Sequence, residues 1–169
     1  MKIWLLLLCS LPLSVIAQDT CGLKKSKDPF TNQMKYSTGF KNFGGSAGPI
    51  SISADANATE IDFFIWLKTD GKCFDLESTA ELVWEGERSK ATFRNTGSLN
   101  CNGAFHFSFK NTNTTQSWLR KMMAKRIATI KLTGNNDAVT LIELTPEQKD
   151  MFQRMAICIA NEGKELIKK

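Results

Sequence analysis

Phe105, Phe107 and Phe109 alternate with His106, Ser108 and Lys110, and this run from Ala104 to Lys110 limits the possible folds more than any other part of the chain. A period of two turns an apolar face inward and a polar face outward, as in a half-buried antiparallel strand. Ile61, Phe63, Ile65 and Leu67 repeat the pattern, but Phe64 and Trp66 load the second face as well. That predicts a central strand covered on both sides. Shorter runs at 50–53, 73–78, 81–85, 90–94 and 127–132 read as further strands, and 30–43 as a strand or irregular hairpin. The run 139–144 pairs back on 127–132 across Gly134-Asn135-Asn136-Asp137.

Two segments break this period. Thr145-Pro146-Glu147-Gln148 is a helix start, with Thr145 as N-cap, Pro146 in the first turn where its missing N–H costs nothing, and Gln148 completing a capping box. The helix buries Met151, Phe152, Met155, Cys158 and Ile159, and Gly163 ends it, leaving 164–169 as a charged tail. A shorter helix, capped by Thr114 or Thr115, carries Trp118, Leu119, Met122 and Met123 as far as Lys125 or Arg126. The expected fold class is α+β: a mainly antiparallel sheet of seven or eight strands, one short helix and one longer C-terminal helix.

The first seventeen residues set the compartment. Lys2 precedes an apolar run, and Val15 and Ala17 sit like the −3 and −1 positions of a signal-peptidase site before Gln18-Asp19. The run is too short to span a bilayer and contains Pro12. Residues 1–17 are therefore expected to be a signal peptide cleaved after Ala17, with a single domain over 18–169 that starts in a polar arm, 18–29. Neither Cys9 nor Cys21 has the small-residue context that lipid attachment requires, so the expected product is secreted or periplasmic without an anchor. Cleavage leaves Cys21, Cys73, Cys101 and Cys158, an even number that suits two disulfides in an oxidising compartment. Of three connectivities, Cys73–Cys101 and Cys21–Cys158 is expected, because the first two flank neighbouring turns and the second pair would tie the N-terminal segment to the long helix. No C-x₂₋₄-C knuckle exists for zinc.

Charge is unevenly spread. Residues 55–87 hold nine acids against Lys68 and Lys72, whereas 110–131 hold six cations and no acid. Arg120, Lys121, Lys125 and Arg126 are a candidate anion-binding set for an anionic surface or polymer. The plainer reading is that two oppositely charged surfaces lie near each other in one fold.

Catalytic sets are scarce. His106 is the only histidine, which removes two-histidine metal motifs, and no G-x-S-x-G elbow supplies a serine nucleophile. The Gly44–Pro49 loop lacks a Gly-Lys-Ser/Thr and so is no phosphate loop. The acids from Asp55 to Glu87 contain many carboxylate pairs with nothing to single one out. Asn57-Ala58-Thr59 and Asn113-Thr114-Thr115 fit the N-glycosylation sequon, which matters only in a eukaryotic source. No metal, cofactor or catalytic residue is read from the chain.

The leader ending Val-Ile-Ala-Gln, the opening Asp28-Pro29-Phe30-Thr31 and the closing hairpin and helix resemble small secreted proteins of Bacteroidota bacteria. The resemblance implies a periplasmic or exported protein without an assigned activity, and no functional residue follows from it. The expectation is a non-enzymatic binding or envelope-associated domain. Alternatives are a hydrolase of an extracellular polymer acting through carboxylates, or a binder of a small apolar ligand around Phe64, Trp66 and Trp84. A deep cleft holding two or more of the acids would favour the hydrolase.

Overall fold

A computed structural model describes residues 21–29, 31–45, 48–69 and 71–167; the leader and its cleavage site lie outside them. In chain order the elements are β1 (Lys24–Lys27), β2 (Met34–Ser37), β3 (Lys41–Asn42), β4 (Ile50–Ala56), β5 (Glu60–Leu67), β6 (Thr79–Trp84), β7 (Lys90–Arg94), β8 (Ala104–Lys110), α1 (Ser117–Ala124), β9 (Ile127–Thr133), β10 (Val139–Glu143) and α2 (Pro146–Glu162). The fold is α+β with antiparallel pairing throughout, in two sheets. The first runs β1-β2-β4-β5-β8 with β3 also on β4, and the second runs β10-β9-β6-β7.

Ten strands are seen among the described residues where seven or eight were expected. The polar arm supplies one of the extra strands: β1 pairs with β2 from Lys24↔Ser37 to Lys27↔Met34, so its exposed lysines edge a sheet. The two-residue β3 supplies another. In the other direction, 73–78 is not a strand. It is a turn in which the Asp75 carboxylate accepts from Glu77 N, Ser78 N and Ser78 Oγ, with a single bridge from Phe74 to Asn100. Local side-chain acceptors there offer the backbone an alternative to a ladder.

Inward positions of both sheets and one face of α2 form one core. Phe63 stacks on Phe107 and on Phe152 of α2, while Phe93 of β7 stacks on Phe107 across the junction of the sheets. Ile52, Ile65, Leu82, Ile130 and Ile159 are fully buried beside them. The capping box of α2 forms as expected, with Gln148 N donating to Thr145 Oγ1 and Thr145 N donating to Gln148 Oε1. The cap of α1 differs from expectation: Gln116 occupies the N-cap position with no side-chain bond, and Thr112 Oγ1 donates to Thr114 O in the preceding loop.

Gly163 ends α2 without the left-handed turn usual for such a glycine. Its φ is −58° and the chain continues into a 3-10 turn, Gly163–Leu166. A Cβ at this position would stand 3.0 Å from Ala56 Cβ, and Gly163 O accepts from Asn111 Nδ2. The small residue is there for close packing. What read as a charged tail therefore docks in part on β2, where Tyr36 Oη donates to Glu165 Oε2.

Two disulfides, Cys21–Cys158 and Cys73–Cys101, are the pairs expected from the sequence. The first ties the chain ahead of β1 to α2. The second joins the segment after β5 to the turn before β8. No helix among the described residues is long and apolar enough to cross a membrane.

Candidate functional site

Antiparallel registry decides which outward side chains of the first sheet become neighbours. Asp55 of β4 stands opposite Asp62 of β5, which stands opposite Ser108 of β8; one rung along, Ser53, Phe64 and His106 align, and next come Ser51, Trp66 and Ala104. The sequence predicted cover on both faces of β5, but its outer face is half open: Trp66 is 38% exposed and Phe40 53%. Phe40, arriving from the β2–β3 connection, packs edge-on to Phe64 with centroids 5.5 Å apart and lies 6.2 Å from Trp66. Trp66 is fixed by Nε1 donating to Asn102 O at 3.1 Å.

His106 lies flat on Phe64, with ring centroids 4.3 Å apart and planes at 6°. Its Nδ1 is 2.9 Å from Asp62 Oδ2. In the neutral ring Nδ1–H donates to the carboxylate, which leaves Nε2 as an acceptor. The backbone is pinned on both sides, His106 N donating to Asn95 Oδ1 and His106 O accepting from Thr96 N. Gly97 lies against the ring, where a Cβ would stand 3.0 Å from His106 Cδ2. Lys35 Nζ is 3.2 Å from Asp55 Oδ2.

Lys35, Asp55, Asp62, Gly97 and His106 line a groove of about 390 Å³ between the β1–β2 turn, the ends of β4 and β5, and the 95–97 segment, and Phe40, Phe64 and Trp66 lie outside its lining. Its walls carry Asp28, Asp55, Glu60 and Asp62 against Lys35 and His106. A shallow depression lined by Leu76 and Leu99 shares Thr96 and Gly97 with it. The Cys73–Cys101 bond holds the chain at the near end of that rim.

The candidate anion-binding residues lie elsewhere, and three of the four are occupied. Lys121 Nζ donates to Glu87 Oε2 and Ser89 Oγ, both at 2.8 Å, and sits 4.1 Å above the Trp84 ring. Lys125 Nζ bonds the other oxygen of Glu87. Arg126 bridges Glu85 at 2.6 Å and Asp150 at 3.1 Å, and Lys149 closes on Glu85 at 2.9 Å. Donation from Lys121, then from Lys125 and Ser89, holds the Glu87 carboxyl at about 2. Lys149 and Arg126 likewise hold Glu85 below the usual carboxylate range. Of the four, only Arg120 is exposed without an ion pair among the described residues. An incoming anion would have to displace carboxylates already in place.

The aromatic trio Phe64, Trp66 and Trp84 does not converge. Trp84 is buried in the second sheet and stacks on Trp118, while Phe64 and Trp66 face outward from the first. Sequence reading assigned His106 to a solvated strand face and missed its partnership with Asp62. The available signal was the shared outward parity of the two residues, but it needed the β5–β8 pairing to be informative.

No protein-family model, curated protein or solved structure matches the chain.

Proposed function

We propose that this chain is a secreted or periplasmic, non-enzymatic binding domain that takes its ligand in the groove on the outer face of the first sheet. One observation carries the reading. Asp55, Lys35, Glu60 and the Asp62–His106 pair, with His106 stacked on Phe64, form a concave polar surface mounted on paired strands, which keep its geometry without a ligand. The two disulfides suit an oxidising compartment. Titrating isotope-labelled protein with neutral oligosaccharides, peptides of either charge and anionic vesicles tests the reading. Amide shifts should gather at Asp62, Thr96, Gly97 and His106 while the ligand is recovered unchanged. Shifts centred on α1, or turnover of the ligand, would overturn it.

A hydrolase acting on an extracellular polymer is favoured by one feature: Asp55 and Asp62, directly opposed on adjacent strands, share the groove. Side chains so placed have Cβ atoms roughly 5 Å apart, near the spacing of two acting carboxylates. Each already has a basic partner, Lys35 or His106, and the groove is open along one side, which favours the binding reading. Product release from polysaccharide or peptidoglycan fragments, lost in Asp62→Asn, would reverse that preference.

A further inference from the structure

We infer that the free edge of β10 pairs antiparallel with the same edge of a second copy of this chain, continuing the β10-β9-β6-β7 sheet of one copy into that of the other. The backbone supplies the first argument. Gly134 N donates to Ala138 O and Leu144 N to Ala128 O, and the register between them sets Thr140 opposite Leu132 and Ile142 opposite Ile130. Bonded residues alternate along an antiparallel ladder, so the N–H and C=O groups of Val139, Leu141 and Glu143 point away from β9. No strand or loop backbone among the described residues meets them there.

The other three sheet edges are closed, which is the second argument. β1 exposes Lys24, Lys25 and Lys27, and β7 exposes Lys90 and Arg94. On β8 two asparagine side chains stand in for a neighbouring strand. Ala104 N donates to Asn100 Oδ1, Asn100 Nδ2 to Ala104 O, and His106 N to Asn95 Oδ1. Edge lysines and covering groups of this kind keep a sheet from recruiting another chain. β10 has neither. Its sequence, Val-Thr-Leu-Ile-Glu, holds no lysine or proline and its pairing runs without a bulge, while Val139 and Leu141 are 53% and 47% exposed.

Self-complementarity identifies the occupant. A two-fold axis at Leu141 sets Leu141 against its counterpart and Val139 against Glu143, so all three free residues of each strand find partners. Glu143, the only charge on the strand, meets no like charge. The two Lys131 side chains, beside Leu141 on β9, stay about 14 Å apart at roughly 4.8 Å per strand. One short strand from each copy buries less than the roughly 1,200 Å² of a standard interface, so the association is weak and concentration-dependent.

Sedimentation of the chain purified after export, from about 1 μM to about 1 mM, should pass from monomer to dimer. Over the same range hydrogen exchange should slow at Val139, Leu141 and Glu143 and stay unchanged at Thr140, Ile142 and along β1. Leu141→Lys, which opposes two cations on the axis, should weaken association tenfold or more. Leu99→Ser, at another exposed leucine, should leave it unchanged. Thermal melting checks the fold of Leu141→Lys, and Val139→Lys replaces it if it melts early. A monomer at the highest concentration, a dimer protected elsewhere, or a change of less than twofold in the lysine variant overturns the inference. Because β10 lies in the second sheet, any of these results leaves the groove of the first sheet as the ligand site.

Discussion

The acids between residues 55 and 87 end in two places that treat charge in opposite ways. Glu85 and Glu87, at the end of β6 and in the turn after it, meet Lys121, Lys125, Arg126 and Lys149 in a seam where nearly every charge has a partner. Asp55, Glu60 and Asp62, on β4 and β5, face a groove with a surplus of carboxylates. The seam pairs Glu85 and Glu87, leaving Arg88 and Arg120 as exposed cations without an ion pair among the described residues. In the groove, Asp55 and Asp62 are paired with Lys35 and His106, and Glu60 makes no ion pair among the described residues. A run of like charge along a sequence thus says little until strand parity and sheet assignment divide it.

Four experiments can break or sharpen this contrast. Replacing Cys73 and Cys101 with serine should have the largest effect, about 3.5 kcal/mol in the chain-entropy model for a separation of 28 residues. Hydrogen exchange should then quicken at residues 95–101 on the groove rim and not in α1. Equal loosening in α1 would mean the two regions are not independent. Met122→Ala, at the buried root of the seam, should cost about 3 kcal/mol in denaturant unfolding. A smaller cost would mean that the helix is held by its ion pairs more than by its packing.

Acid titration probes the seam alone. The Glu87 carboxyl ordinarily titrates at 4.5 and in the fold at about 2, so its contribution is complete above about pH 4.5 and is lost as pH falls towards 2. Glu87→Gln should therefore flatten the fall in melting temperature across that window and leave the profile above pH 6 parallel to the parent's. An unchanged acid limb would show that its two lysine contacts do not persist in solution. The smallest effect belongs to the groove: Glu60→Gln and Leu99→Ser should each alter unfolding free energy by no more than about 0.5 kcal/mol, since neither holds the core. A loss comparable to that of Met122→Ala would place the groove within the structural framework and weaken its reading as a ligand site.

Much of the fold was legible because its signals are local. The alternation in 104–110, the hairpin at 127–144 and the Thr145 capping box each need only a few adjacent residues, and each appears as read. The short strand β1 was not legible, since Lys24–Lys27 carries no apolar alternation and is a strand only because β2 lies beside it. Gly163 was read as a helix stop for the wrong reason, because Ala56 and Asn111, the residues that demand its small size, are distant in sequence. Of the site, parity placed Asp62, Phe64 and His106 on outward faces, but nothing local said that β5 and β8 are neighbours in that register.

By itself the sequence determined the α+β class, the inward phenylalanines, the long helix with its cap and the expected cysteine frame. These follow from periodicities of two and 3.6 and from capping chemistry, which act over a few residues. Only the tertiary structure decided that Glu87 belongs to the basic helix while Asp62 belongs to His106, and that Phe40 folds over Phe64. Those contacts join residues 24 to 44 positions apart, and an ion pair or a ring stack forms only where the packed core has already brought its partners within a few ångströms.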